Sequence, residues 1–491
     1  MSLPSFRTCA PLGAILILLP NGPLAAQEPL AGEALAKAEE AYRLQQAGNA
    51  AGALAAADAA LRLAPADRDL RLLQADLLLE TRRYPEVLRA LDPLKDERSF
   101  PVQSRLGYAH LGTGQAGPAG KAFRAALAAA GTPEERTGAW SGLLDVARQQ
   151  DDAKGELEAL AGLRAQAPAD PALAKEEGYA LDRAGRDAEA LAAFKAALVP
   201  GAPPADFLDA AYAARKAGRD AEARDLFARA VRAQAPGREL EPATLFAVRR
   251  EVEGLSRTWG GSLSTSYNQA GLIPGTLSDQ KVVQQGAEIF YQPRWLTRGG
   301  RQVQFFLQAF ENVHAPAGWS TGAPTLQPSF GVRAKPFESQ NLVLGVQRVF
   351  KATDGAPADW LYTLGYSADR GVDLRGGESA WTYATLYTEA AWFQKADRYV
   401  HTGEARLGRS WRLGGSNTVL VPHAALAGDY DRRTDPRTGL GAGPGLALRS
   451  WFRQTAVMAP ASWMELSVQY RWKLDSADRS QGWFARLTFW F

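Results

Sequence analysis

Cysteine is almost missing from this chain: one residue of 491, Cys9. Even that one lies in a segment expected to be discarded. Arg7 supplies a positive start, residues 11–20 (PLGAILILLP) a short apolar core, and Pro23-Leu24-Ala25-Ala26 a small-residue cleavage site after Ala26. Together they read as a secretory signal peptide over 1–26. Cys9 comes too early, and is wrongly flanked, for lipidation. A processed chain without thiols excludes disulfides, thiolate metal sites and cysteine nucleophiles at once, and it suits an oxidising compartment. Long apolar runs are lacking too: nothing after the leader offers the ~18 consecutive apolar residues that a spanning helix needs. Charge of one sign is scarce, with 56 Lys and Arg against 53 Asp and Glu, so no nucleic-acid partner is expected. Histidine occurs four times, at His110, His314, His401 and His423, and no pair has metal-ligand spacing. No metal and no cofactor are expected.

What is present divides near Arg257. Ala, Leu, Arg, Asp and Glu dominate before it, a helix-forming composition. After it come twelve of the thirteen Trp and nine of the fourteen Tyr, with Thr, Val and Gly, a composition of strands and turns. The first half repeats. Turn positions recur at Gly48, Arg82, Gly114, Gln150, Gly185 and Gly218, about 34 residues apart, and Pro65, Pro133, Pro168, Pro200 and Pro236 follow most of them by roughly 17. Helix, turn, helix and proline stop at this period is the tetratricopeptide (TPR) pattern. About six helix pairs, over 27–256, are expected to stack into an α-solenoid, because each pair buries its apolar face only against its neighbours. The concave side would bind a protein or peptide, unless the repeats serve only as a structural spacer.

The second half, 257–491, alternates. In the last segment Trp483, Ala485, Leu487, Phe489 and Phe491 fall on one face, and Phe484, Arg486 and Thr488 on the other. About twelve strands, an even number, are expected at 258–267, 283–293, 302–312, 325–335, 341–350, 360–369, 380–394, 399–411, 417–430, 440–452, 462–473 and 482–491. Most are long enough to cross a bilayer at a tilt. Aromatics crowd the strand ends: Trp259, Tyr267, Tyr291, Trp295, Trp360, Trp381, Tyr399, Trp411, Tyr430, Trp451, Trp472 and Trp490. That is the placement of two membrane-interface girdles, so the expected fold is an antiparallel transmembrane β-barrel in the outer membrane. Trp483, Leu487, Phe489 and Phe491 form a C-terminal signal for the barrel assembly machinery. With the solenoid periplasmic, loops 268–282 and 313–324 fall outside, where long loops belong. The stretch 370–398 breaks that rule, with a long turn on the inner side and a short one on the outer.

Function is expected in the lumen. The polar phases carry Gln304, Gln308, Gln347, Glu389, Glu404, Arg406, Gln469, Arg471 and Arg486, with Phe306, Phe310, Tyr383 and Tyr387 interleaved. Amides and charges hydrogen-bond sugar hydroxyls, and aromatic faces stack on pyranose rings. The bland alternative is that these residues fill a narrow barrel and brace its wall. Mixed signs argue against a strongly ion-selective pore. Residues 439–445 (GLGAGPG) lack the Lys-Ser/Thr ending of a phosphate loop and read as a strand whose inward glycines leave room in the lumen. His401 or His423 beside a serine would be needed for an outer-membrane lipid hydrolase. The chain is otherwise not expected to be an enzyme.

The segments GVRAKPF (331–337), QNLVLGVQRVF (340–350) and Asp359-Trp360-Leu361 resemble the C-terminal region of the bacteriophage adsorption protein A family, over roughly 260–491. The whole arrangement is similar to exopolysaccharide export porins. The resemblance implies export of a surface glycan in transit through the barrel, with an inner-membrane or periplasmic synthesis protein held by the TPR domain. It also implies adsorption of a phage tail protein. An anchored scaffold without an open pore is the alternative, in which outer-membrane lipid surrounds the barrel but nothing passes through it.

Overall fold

The computed structural model describes residues 32–268, 282–297, 300–318, 320–352 and 358–491. The signal segment, Cys9 and most of loop 268–282 lie outside them. Thirteen α-helices and twelve β-strands are found among the described residues. The helices are α1 (Gly32–Gln46), α2 (Ala50–Leu63), α3 (Arg68–Glu80), α4 (Tyr84–Leu91), α5 (Phe100–Gly112), α6 (Ala116–Ala129), α7 (Pro133–Gln149), α8 (Ala153–Gln166), α9 (Pro171–Arg183), α10 (Asp187–Ala196), α11 (Pro204–Lys216), α12 (Asp220–Arg232) and α13 (Pro242–Ser256). None is long and apolar enough to cross a membrane. The chain packs as two compact units, one ending at Pro168 and one beginning at Ala169, whereas the change from helix to strand falls between Ser256 and Trp259.

Each helix pair is closed by a residue in the left-handed region. Gly48, Gly114, Gly185 and Gly218 occupy it, as do Arg82 and Asp151. The bonds are the same each time: Gly48 N–H donates to the Gln45 carbonyl and Asn49 N–H to that of Leu44, and Arg82 and Arg83 do the same to Leu79 and Leu78. This satisfies the last carbonyls of the first helix. The fourth turn therefore bends at Asp151, one residue beyond the expected Gln150, because the helix runs through Gln149 and is capped by Gln150. Asn49, Asp67, Asp152 and Asp170 then cap the helices that follow, each accepting from a first-turn amide at 2.8–3.0 Å.

Small residues let the helices close up. Phe123 is fully buried and meets Tyr108 edge-on at 4.9 Å. It fits because a Cβ on Gly142 would lie 2.3 Å from its ring. The same edge-on pair recurs as Tyr179–Phe194 and Tyr212–Phe227.

The strands are β1 (Trp259–Tyr267), β2 (Val283–Tyr291), β3 (Gln302–His314), β4 (Gln327–Lys335), β5 (Asn341–Val349), β6 (Asp359–Arg370), β7 (Ala380–Phe393), β8 (Arg398–Arg412), β9 (Thr418–Asp431), β10 (Thr438–Phe452), β11 (Ser462–Lys473) and β12 (Gly482–Trp490). Each pairs antiparallel with its sequence neighbours, and β1 closes on β12 with Ser262 opposite Trp490 and Tyr267 opposite Ala485. Gly261 and Phe491 exchange amide bonds of 2.8 and 3.0 Å at the seam. Closure leaves no sheet edge unpaired.

Outside, the strands carry a belt. Leu263, Ile289, Leu307, Phe330, Leu344, Leu364, Leu386, Leu407, Leu426, Leu446 and Leu466 come one from each of β1–β11, all exposed and all pointing outward. A contiguous apolar ring of this size belongs in hydrocarbon, not in water. Trp259, Trp295, Trp411 and Trp472 are also exposed. Three of the expected girdle residues are not in the girdle. Trp381 and Trp451 are buried inside the barrel, and Trp490 turns inward against Phe290 and Trp463. Their phase along the strand, fixed by barrel closure, matters more than their nearness to a strand end.

The expected conflict at 370–398 is resolved by packing. All twelve strands stand, and the long β6–β7 turn folds into the barrel mouth. Leu374 is buried there with Trp381, Tyr383, Val419, Val421, Ala447 and Trp451. Helix α13 lies on the same end. Phe246 packs on that cluster, Arg250 is ion-paired with Asp373, and Ala459 N–H donates to the Arg249 carbonyl at 3.1 Å. The turn is long because it has an apolar layer to build.

Candidate functional site: the barrel interior

Beyond that apolar layer the lumen holds a cavity of about 860 Å³. Strand alternation aims its lining, so every other residue of each strand contributes. Of the thirteen expected lumen residues, eleven line it: Phe306, Gln308, Phe310, Gln347, Tyr383, Tyr387, Glu389, Glu404, Arg406, Arg471 and Arg486. Gln304 and Gln469 also point inward but are spent on neighbours. Gln304 accepts from Arg333 at 2.6 Å and donates to Gln292 at 2.9 Å, and Gln469 accepts from Arg471 at 2.8 Å.

Ionic groups brace the wall. Arg333 grips Glu288 through both terminal nitrogens, at 2.7 and 3.0 Å, and lies over Phe290 and Phe306. The larger group crosses β8, β10 and β11. Glu404 is ion-paired with both Arg406 and Arg471, and Glu465 with Arg406 at 3.3 Å and Arg449 at 2.5 Å. Arg449 also donates to the Val372 carbonyl at 2.9 Å, which ties the network to the inserted turn. Bidentate, shared arginines of this kind hold their geometry better than isolated pairs. Over the whole cavity six arginines face five carboxylates.

The glycines of β10 do not leave open space. A Cβ on Gly441 would stand 2.3 Å from the Ser480 carbonyl oxygen, and one on Gly445 2.4 Å from the His423 ring. The stripe is a trough filled by the β11–β12 turn and by His423, which corrects the expectation of an empty one. His423 is engaged by the Val421 carbonyl at 3.0 Å and Gln469 at 3.3 Å, and His401 by Thr388 at 2.6 Å. Among the described residues no serine hydroxyl is hydrogen-bonded to either histidine. His110 bonds Gln115 at 2.9 Å on α5.

In the helical part of the second unit, α9 and α11 are joined by charge. Lys175 meets Asp206 at 2.5 Å and Asp209 at 3.3 Å, and the Tyr179 hydroxyl donates to Asp209 at 2.6 Å. Burial, then the Asp209 hydrogen bond, pushes the Tyr179 phenol up to about 12. Burial opposes charge on Lys175, but the two aspartates outweigh it and hold its ammonium above the ordinary value. Burial likewise raises Asp209, against its two donors.

Residues 318–487 match the family described as bacteriophage N adsorption protein A, C-terminal. The matched stretch runs from the loop before β4 into β12 and contains the larger ionic group. Solved structures similar to this chain include MamA (20% identity, 34% of this chain and 90% of that one, TM-score 0.31) and YrrB, titled a TPR protein with an unusual peptide-binding site (21%, 36% and 92%, 0.30). A third is the C-terminal part of a TPR repeat-containing protein from Cytophaga hutchinsonii (16%, 44% and 84%, 0.35). No curated protein matches the chain.

Sequence reasoning missed Glu288, Arg333, Arg449, Glu465, Arg479 and Ser480 as lining residues. Glu465 was within reach, since it shares the phase of Gln469 and Arg471 on one strand. Arg479 and Ser480 were not, because a turn has no alternation to read.

Proposed function

We propose that this chain is an outer-membrane component of surface-glycan export, to which a bacteriophage can adsorb. The observation that carries the reading is the cavity wall: hydrogen-bonding amides and charges interleaved with aromatic rings, inside a barrel with an apolar belt. Such a wall suits a hydrated, ring-shaped solute. The adsorption protein A region supports the phage role. In this reading the helices are periplasmic, recruit a synthesis protein, and follow a cleaved signal peptide. No catalytic step is assigned to the chain: the engagement of His423 and His401 by non-serine partners supports a transport role over lipid hydrolysis. Deleting the gene should abolish the surface glycan and phage adsorption together. Unchanged glycan with intact synthesis would overturn export.

One observation favours a second reading, an anchor without an open pore. The inserted turn and α13 cover one end of the barrel. Conductance of the full chain in a planar bilayer separates the two. Under the export reading, shortening 372–377 raises a low conductance. A barrel silent before and after shortening favours the anchor.

A further inference from the structure

Helix α13 is held on opposite sides by two parts of the same chain. Pro242, Phe246 and Arg250 lie at i, i+4 and i+8, so they share one face of the helix. That face meets the tip of the β6–β7 turn. Arg250 is ion-paired with Asp373, and Phe246 packs on the cluster that contains Leu374. A Cβ built on Gly376 would lie 3.0 Å from the Pro242 carbonyl oxygen and 3.2 Å from the Phe246 Cβ. Val248 and Val252, both buried, point the other way, because two residues turn a helix by about 200°. Glu251 is ion-paired with Arg215 of α11 at 2.5 Å.

The turn is held differently at its root and at its tip. The barrel holds the root: the Trp381 indole N–H donates to the Gly371 carbonyl at 2.8 Å, and Arg449 donates to that of Val372 at 2.9 Å. Among the described residues the tip, 373–377, is bonded beyond the turn only through Asp373 and Arg250. The hold on the tip is breakable. The Arg250 and Asp373 side chains are 48% and 49% exposed, and an exposed ion pair contributes little. Phe246 is only partly buried. The C-terminal end of α13 is pinned instead, since Arg257 pairs with Glu253 and donates to the Ala461 carbonyl at 2.8 Å, just before the chain enters β1. The helix thus has a fixed end at the barrel and a detachable end over the turn.

We propose that α13 is a latch: its N-terminal half holds the tip of the β6–β7 turn in the barrel mouth, and withdrawal of that half by the helical part frees the tip and opens the barrel. Arg215 and Glu251 carry the pull from α11. The proposal rests on the export reading and adds its control.

The test is the conductance of the full chain in a planar bilayer, with folding of each variant read from the mobility of unheated barrel on a gel. Phe246→Ala should raise the open fraction about tenfold, the worth of a partly buried aromatic ring. Arg250→Glu should raise it at least about threefold, and adding Asp373→Arg should restore the parent's value by rebuilding the pair in reverse. In a Cys9→Ser background, Phe246→Cys with Gly376→Cys sets two Cβ atoms near disulfide separation. Oxidised, this variant should stay closed; reduced, it should open as Phe246→Ala does, and reoxidation should close it again. If the cysteine pair does not fold, Arg250→Glu and its charge swap carry the test. An oxidised form that conducts like the reduced one, a swap that fails to restore closure, or α13 variants as silent as the parent would each overturn the latch. Shortening 372–377 separates the two failures. If it opens the barrel and the α13 variants do not, the latch falls and export stands. If the shortened barrel is silent too, there is no pore to control, and both fall.

Discussion

Phe123 does the work of several residues, and its neighbours pay for it in side chains. Gly107 and Gly142 have none, because the ring fills the space where a Cβ would be. Phe123→Ala should cost ~3–5 kcal/mol, the range for emptying a buried aromatic site. Gly142→Ala overpacks the same site and should cost ~1–3 kcal/mol. Urea unfolding of the full chain followed by helical dichroism measures both. Tyr179 gives a prediction in pH. Its folded value of about 12 lies above the ordinary phenol value, so the fold favours the neutral form. That contribution is complete below about pH 10 and is lost as the pH rises through 12. Lys175, also raised, loses its contribution in the same direction. The helical signal should therefore weaken at alkaline pH. In an ultraviolet difference titration, Tyr179→Phe should remove one phenol ionising near 12.

At the scale of elements, β10 and the β11–β12 turn are one device. Gly439 and Gly441 face inward, where the Ser480 hydroxyl and carbonyl oxygens come within 2.5 and 2.3 Å of a Cβ built on them. Arg479, ion-paired with Asp429 at 2.9 Å, holds the turn down. A valine at position 441 cannot coexist with the turn. Gly441→Val should expel Asp478–Ser480 from the lumen and lower the fraction of barrel that resists heat on an unheated gel. Normal heat resistance would mean that the turn yields without cost. The β6–β7 turn is the counterpart at the other end, and its length follows from the apolar layer that Leu374 completes. The rule that inner turns are short describes turns that only reverse a strand.

For the whole molecule, closure is the controlling event. It joins the first strand to the last across more than two hundred residues, and the terminal Phe491 makes the final pair with Gly261. Removing Phe491 deletes the two bonds at this end of the seam and the last residue of the expected assembly signal. The yield of heat-resistant barrel in membranes should fall several-fold, and a normal yield would show that Trp483, Leu487 and Phe489 suffice.

Much of this architecture was legible residue by residue. The period of 34 follows from helix-pair stacking, and alternation follows from the pleat, so both are local consequences of backbone geometry. That is why the strand boundaries and the inward phase of Arg486 could be read along the chain. Tertiary structure decided which inward groups meet. Glu404 and Arg471 are 67 positions apart, and only the curvature of the closed sheet faces them. It also decided that Trp381 and Trp451 build an inner layer, that α13 lies on one end of the barrel, and that His423 fills the glycine trough of β10. Arg486 illustrates the division. Its inward direction follows from one strand's alternation. That it forms no ion pair among the described residues follows from what the other strands bring to the same space, where Glu404 and Glu465 are already paired with other arginines.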